Sequence, residues 1–274
     1  MSITHSLIGL VNLKQYPLDD LDSTKGRQLI RDCRKKINDR GSLTLESFFP
    51  ATETEKLVSE VRQKLSLSHR MQGNFSPYSD DLNAEDNLNL RHDHPSRLKL
   101  PASHRFLAGD LVALSSPLQQ LYRDQQFINF LAAVLDQDAL YPLSDTLGCV
   151  NILAYEPGDS NGWHFDTTEF VISIMLQAAG RGGEYQFIPG MRSDADDNLE
   201  AISYRMNNPE VEHGINRVTL APGTLFLFRG RNTLHRVTRV EQEPERLVAI
   251  LSYHKTPGHV LSEGSKLAMY GRSA

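Results

Sequence analysis

The chain has 274 residues, 39% of them hydrophobic and 23% charged, with a net charge of −5. This is ordinary globular composition, sufficient for a sizeable core and without the basic excess of a nucleic-acid-binding surface. Two cysteines, Cys33 and Cys149, give no disulfide framework and fit a reducing, cytoplasmic setting. No window approaches the ~20 apolar residues of a membrane span. Met1 to Lys14 lacks a basic leader and a small-residue cleavage site, so the expectation is a soluble intracellular protein.

In chain order, residues 1–21 carry little pattern. Ser23 or Thr24 opens a first helix whose apolar face is Leu29, Ile30, Cys33 and Ile37, ending by Gly41. Gly41 to Glu46 alternates like a short strand. Thr52-Glu53-Thr54-Glu55 reads as a capping box before a second helix with the stripe Leu57, Val58, Val61 and Leu65. Ser66 to Lys99 is polar and loop-like. Ser116-Pro117 opens another helix, and Asp124 caps a further one bearing Phe127, Ile128, Leu131 and Leu135.

From about residue 147 the apolar period shifts towards two. Strands are expected at Leu147–Tyr155, Glu169–Gln177, Glu184–Ile188, Arg217–Leu220, Thr224–Phe228, Leu234–Arg239 and Arg246–Tyr253. Turns such as Glu156-Pro157-Gly158-Asp159 and Ala221-Pro222-Gly223 separate them. This pattern predicts a sandwich, barrel or jelly roll. Met191 to Gly214, rich in Asp, Asn and Glu, interrupts it as a lid or as an exposed insertion.

The chemistry concentrates at Gly162-Trp163-His164-Phe165-Asp166. In an extended segment, His164 and Asp166 leave the same face. His235 lies in a later strand, and two histidines with one carboxylate form the facial triad of non-heme iron oxygenases. Arg246 opens the apolar strand Leu247 to Leu251. A guanidinium there calls for an anionic partner, either a cosubstrate carboxylate or a structural one such as Glu184 or Glu169. His92-Asp93-His94 is a rival metal cluster, but Arg91 and Arg97 beside it favour a basic loop.

The H-x-D pair, the distal histidine and the arginine about ten residues later resemble the Fe(II)/2-oxoglutarate-dependent dioxygenases. Within them, Asn161 to Asp166, Gly182-Gly183-Glu184 and Gly230 to Thr238 look closest to the branch of free amino-acid hydroxylases and halogenases. The resemblance implies a mainly β fold with α-helices, in one domain spanning 1–274. An N-terminal helical and loop region, 1–140, would pack on a double-stranded β-helix (jelly-roll) core at 145–258, with a tail at 259–274. It implies His164, Asp166 and His235 as Fe(II) ligands, Arg246 on the distal carboxylate of 2-oxoglutarate, and O2 as co-reactant. The family's usual Ser or Thr two residues after the arginine is Val248 here, so Thr233 is a candidate replacement donor; Asn151, which shares a strand face with Tyr155, is a candidate contact to cosubstrate or substrate.

Strand parity and proximity make Asn161, Thr167, Ile250, Ser252 and Tyr155 candidate substrate contacts. The implied reaction is hydroxylation of a small polar molecule, a free amino acid or derivative, with release of succinate and CO2. Halogenating relatives replace the triad carboxylate by a small residue, whereas Asp166 is intact. The alternatives are a hydroxylase of a peptide or carrier-bound residue and a non-catalytic jelly-roll binder of small anions. The expected partner is a small-molecule substrate, neither nucleic acid nor membrane, with the oligomeric state open and a homodimer included.

Overall fold

A computed structural model describes residues 7–78, 90–92, 94–193, 195–208 and 211–274. Its framework is one curled sheet of eleven strands. In chain order these are β1 (Ser42–Leu45), β2 (His69–Phe75), β3 (Leu100–Leu107), β4 (Val150–Tyr155), β5 (Ser160–His164) and β6 (Val171–Gln177). They continue as β7 (Tyr185–Ile188), β8 (Asn216–Val218), β9 (Leu225–Phe228), β10 (Leu234–Val237) and β11 (Arg246–Leu251). The order across the sheet is β1-β9-β6-β11-β4-β3-β5-β10-β7-β8, with β2 paired to β3 and every pairing antiparallel. The sheet folds over on itself as the expected jelly roll.

Alternation along the strands decides what faces where. On β4, Val150, Ile152 and Ala154 join the main core; on β11, Leu247, Ala249 and Leu251 do so. That core lies between the sheet's outer face and helices α1 (Thr24–Arg40), α2 (Ala51–Lys64), α3 (Pro117–Arg123) and α4 (Gln125–Leu135). The opposite parity, Asn151, Leu153 and Tyr155 on β4 with Arg246, Val248 and Ile250 on β11, therefore points into the roll.

The short strand expected at Gly41 to Glu46, the seven strands expected from residue 147 on and the four expected helices are present. Ser23 caps α1 through Gly26 N–H, and Asp124 caps α4 through Phe127 N–H. The capping box at Thr52 is not used: α2 begins at Ala51 behind Pro50, which places Thr52 inside the first turn, and the Thr54 hydroxyl donates back to the Pro50 carbonyl. The polar Ser66–Lys99 stretch contains β2, and β3 follows it. The tail at 259–274 contains α6 (Glu263–Tyr270), whose Tyr270 is buried against Phe106, Ala108 and Leu147. Asp93 of the rival cluster lies outside the described residues, and His94 Nδ1 accepts from Ser96 N–H.

Met191 to Gly214 contains α5 (Leu199–Asn207). Its Ile202, fully buried, packs with Tyr78, Trp163, Phe165, Ile188 and Leu234 on the outer face of β5 and β10. The Arg192 guanidinium lies 5.4 Å from both the Tyr78 and Phe165 ring centroids. The insertion thus clamps the strand that carries the H-x-D motif.

The β4–β5 turn is fixed by Asp159, 1% exposed. Its carboxylate accepts from both terminal nitrogens of Arg70 on β2, from the Ser103 hydroxyl on β3 at 2.8 Å and from Glu156 N–H at 2.9 Å. One buried anion thereby ties three strands together. Asp159→Ala leaves Arg70 without this partner and should cost about 3 kcal/mol, the low end for breaking a buried pair because Arg70 is partly exposed. A lowered denaturant midpoint at unchanged slope checks this.

Candidate metal and cosubstrate site

His164 ends β5 and His235 stands on β10, directly opposite it in the register. Their ring centroids are 4.1 Å apart. Asp166 follows β5, and its N–H donates to the Gly230 carbonyl at 3.2 Å. One potential ligand atom from each of the three residues lies within 4.8 Å of the others.

The hydrogen bonds orient the rings. His164 Nδ1 lies 2.7 Å from the Gly162 carbonyl and His235 Nδ1 lies 2.8 Å from the Thr233 carbonyl. A carbonyl only accepts, so both Nδ1 atoms carry a proton, which turns both Nε2 atoms inward as the available ligand atoms. His164 Nε2 is 3.6 Å from Asp166 Oδ1, and His235 Nε2 is 3.2 Å from Asp166 Oδ2. Asp166 Oδ2 is buried without a properly aimed donor. An imidazole nitrogen facing a carboxylate oxygen at this distance holds either a proton or a cation between them, and here a second imidazole nitrogen converges on the same carboxylate. The residues therefore fit a divalent transition metal that takes two imidazoles and one carboxylate.

The two histidines differ in their electrostatics. Burial, reinforced by His235, lowers the pKa of His164 to about 4, so it is neutral and ready to ligate. Burial opposes the charge on both His235 and Asp166, but their mutual attraction wins and holds His235 up and Asp166 down. The Asn161 amide lies 3.3 Å from His164 Nε2 and within reach of the Tyr155 hydroxyl, at the metal-facing side of the ring.

Arg246 is 4% exposed, and its Nε has no hydrogen-bond partner. Neither structural carboxylate serves it: Glu169 pairs with Lys255, and Glu184 lies 3.9 Å from Arg217. Instead its guanidinium lies 5.4 Å from the Tyr155 ring centroid. Tyr185 on β7 was not foreseen from the sequence. Its buried hydroxyl has no partner, and burial keeps its phenol well above the usual range, so it remains an O–H donor. Arg246, Tyr185, Met175 and Leu220 line a shared cavity of about 210 Å³. A buried guanidinium Nε and a phenol, both unpaired and on one cavity, suit a small carboxylate.

The other expected contacts are distributed differently. The Thr233 carbonyl orients His235, while its hydroxyl lies towards the Cβ position of Gly41. Asn151 is engaged at both ends, donating to the Gly148 carbonyl at 3.0 Å and accepting from the Tyr270 hydroxyl. Ser252 lies past the end of β11, with its N–H on the Cys149 carbonyl and its own carbonyl on Tyr122. Thr167 is exposed at the rim, and Ile250 faces the interior beside Tyr155, Val237, Val240 and Val248. Strand parity was the signal that could have found Tyr185, which shares its face with Phe187 against Phe226 and Phe228.

Gly230 makes room for Asp166. A Cβ there would lie 2.4 Å from Asp166 Oδ2, 2.9 Å from Asp166 Cβ and 2.9 Å from Val171 Cγ2. Gly230→Ala should therefore push the carboxylate off its position and weaken metal binding by about 10–100-fold, as outer-shell changes do. Metal titration of the purified protein measures this. Tyr185→Phe should weaken 2-oxoglutarate binding by about tenfold at unchanged metal affinity, the loss expected when one hydrogen bond to a charged group is removed.

No curated protein matches the sequence. Among solved structures, the chain is similar to a 2OG-Fe(II) oxygenase family oxidoreductase from Burkholderia pseudomallei, with 15% identity, 84% of this chain and 92% of that one covered, and a TM-score of 0.52. It is also similar to a Pseudomonas putida prolyl-4-hydroxylase (14% identity, 83% and 99% covered, TM-score 0.51). A third is HygX from Streptomyces hygroscopicus, solved with nickel, 2-oxoglutarate and hygromycin B (16%, 83% and 88%, TM-score 0.53). At these identities the likeness is one of fold. A family model described as Halogenase D matches residues 103–263, more than half of the chain and inclusive of every residue of the triad and Arg246. The chain belongs to the Halogenase D family and has the fold of the 2OG-Fe(II) oxygenases.

Proposed function

We propose that the protein is an Fe(II)/2-oxoglutarate-dependent oxygenase that hydroxylates a small polar molecule, a free amino acid or close derivative, with release of succinate and CO2. The observation that carries this reading is the pair of inward-facing Nε2 atoms converging on Asp166, with the buried, unpaired Nε of Arg246 in the same roll. His164, Asp166 and His235 would hold the metal through three protein donors, leaving positions open for chemistry. When bound, Fe(II) supplies the redox chemistry that couples decarboxylation of 2-oxoglutarate by O2 to oxidation of a substrate C–H bond. Arg246 and Tyr185 would fix the cosubstrate by its distal carboxylate, setting its keto-acid end towards the triad. Apolar walls from Val237, Val240, Val248 and Ile250 exclude water around them.

The family's name raises a second reading, halogenation. A halide needs the position that a small residue leaves vacant in the triad, and here Asp166 fills it with Gly230 tailored to its carboxylate. This favours hydroxylation. The fold relatives include a prolyl hydroxylase and an enzyme bound to hygromycin B, so the fold itself selects no substrate.

The test is succinate release from 2-oxoglutarate with added Fe(II) and a panel of amino acids and related metabolites, read with product mass. A gain of one oxygen is expected; a gain of chlorine or bromine in the presence of halide would overturn hydroxylation. His164→Ala and Asp166→Ala should abolish turnover, and parent-like rates would remove the metal assignment. Arg246→Ala should mainly raise the 2-oxoglutarate requirement, by about 2–5 kcal/mol in binding as for other truncated buried charge pairs.

A further inference from the structure

His104 lies on β3, between β4 and β5, on the interior face with Ala102 and Phe106. It is 1% exposed. Its ring stacks on Tyr155 with centroids 4.9 Å apart and planes 28° apart, and tilts against Phe106 at 4.7 Å. Its Nδ1 is buried without a well-aimed hydrogen-bond partner, the Ser103 backbone being the polar group within the ring's reach. Burial, reinforced by the nearby His164, lowers its pKa to about 3, so the ring is uncharged at neutral pH. The carboxylate that opposes this shift, Asp159, is already taken by Arg70, Ser103 and the Glu156 N–H.

A phenylalanine would fill this position, between two aromatic rings, without stranding a nitrogen. A polar atom kept buried and unpaired is a cost that a bound partner removes. The cosubstrate is not the matching partner: its carboxylate is matched by the cationic Arg246, whereas an uncharged imidazole offers one hydrogen bond and no charge. The interior around His104 combines apolar surface from Ala102 and Phe106 with the amide of Asn161 on β5, which pairs with Ala102 in the register. Such a wall suits a small molecule with an aliphatic stem and a polar group.

We propose that His104 is a specificity-determining residue whose Nδ1 hydrogen-bonds the polar group of a small substrate held beside Tyr155. This rests on the oxygenase reading above. It makes β3, a strand contributed by the N-terminal half, part of the substrate wall as well as of the roll.

The experiment uses the protein loaded with Ni(II) and 2-oxoglutarate, so that binding is read without turnover. The twenty free L-amino acids are titrated one at a time by calorimetry. His104→Phe should weaken the amino acid that the parent binds by about tenfold or more, the loss when a site built for a hydrogen bond goes unpaired. The 2-oxoglutarate affinity should stay at the parent value. His104→Asn, which places an amide near the former Nδ1, should recover part of the loss. Equal amino-acid affinity in His104→Phe and parent would overturn the inference while leaving the oxygenase reading intact. Parallel loss of 2-oxoglutarate and amino-acid binding would also overturn it, by showing a packing role around Tyr155. A parent that binds 2-oxoglutarate but none of the amino acids would overturn the amino-acid reading and this inference together.

Discussion

The structure turns on the approach of two buried polar atoms, His235 Nε2 and Asp166 Oδ2. Left to themselves these atoms repel, or share a proton. The fold nevertheless drives them together by means that leave no alternative. The Thr233 and Gly162 carbonyls fix the two ring tautomers, and the Gly230 carbonyl fixes the backbone of Asp166. The pairing of β5 with β10 sets the two histidines opposite each other. Packing of the α5 insertion on Trp163 and Phe165 holds the motif from its outer side. A positive charge at the centre resolves the conflict, and the rest of the roll is consistent with that requirement.

A second unresolved charge lies deeper. Arg246 is placed at the start of β11, where its backbone pairs with Tyr155 at the end of β4. Leu247 and its parity mates bury themselves in the main core, which obliges Arg246 to face inward. The price of that burial is offset by no internal carboxylate among the described residues' ion pairs that involve Glu169 and Glu184. The metal face and the guanidinium are thus two ends of one electrostatic demand, positive at the triad when loaded and positive at Arg246. A dianion with a chelating end and a free carboxylate answers both.

Much of this was legible in the sequence, for reasons that can be named. The strands from β6 to β11 alternate apolar residues between Pro-Gly or Gly-Gly turns, so their positions followed from period and punctuation. The triad and Arg246 were visible because their residue types are costly in such strands. Other elements were hidden by polarity. β5 itself reads Ser160-Asn161-Gly162-Trp163-His164, and β2 is an edge strand with little buried surface, so neither carries an apolar period. β3 alternates Ala102, His104 and Phe106, but a histidine in the middle of the buried set breaks the pattern that would have announced it. Thr233 illustrates a different gap: spacing put it near the ligands, yet it contributes its carbonyl while its hydroxyl turns towards Gly41. Tyr185 and His104 lacked any motif; strand parity places Tyr185 on an inward face, but only the unsatisfied atoms in three dimensions mark either residue out.

The C-terminal helix has a consequence for how such a pocket can diversify. Tyr270 reaches the interior-facing Asn151 and packs with Phe106 and Leu153, while Lys266 pairs with the buried Asp145 at 2.9 Å to hold the helix down. Strand residues that shape the interior are locked into register, where one shift turns every side chain to the wrong face. A side chain delivered by a docked helix carries no such constraint. This end of the roll is therefore packed by a plug that can be lengthened, shortened or exchanged independently of the sheet, so its filling and the metal ligands are carried by separate parts of the chain.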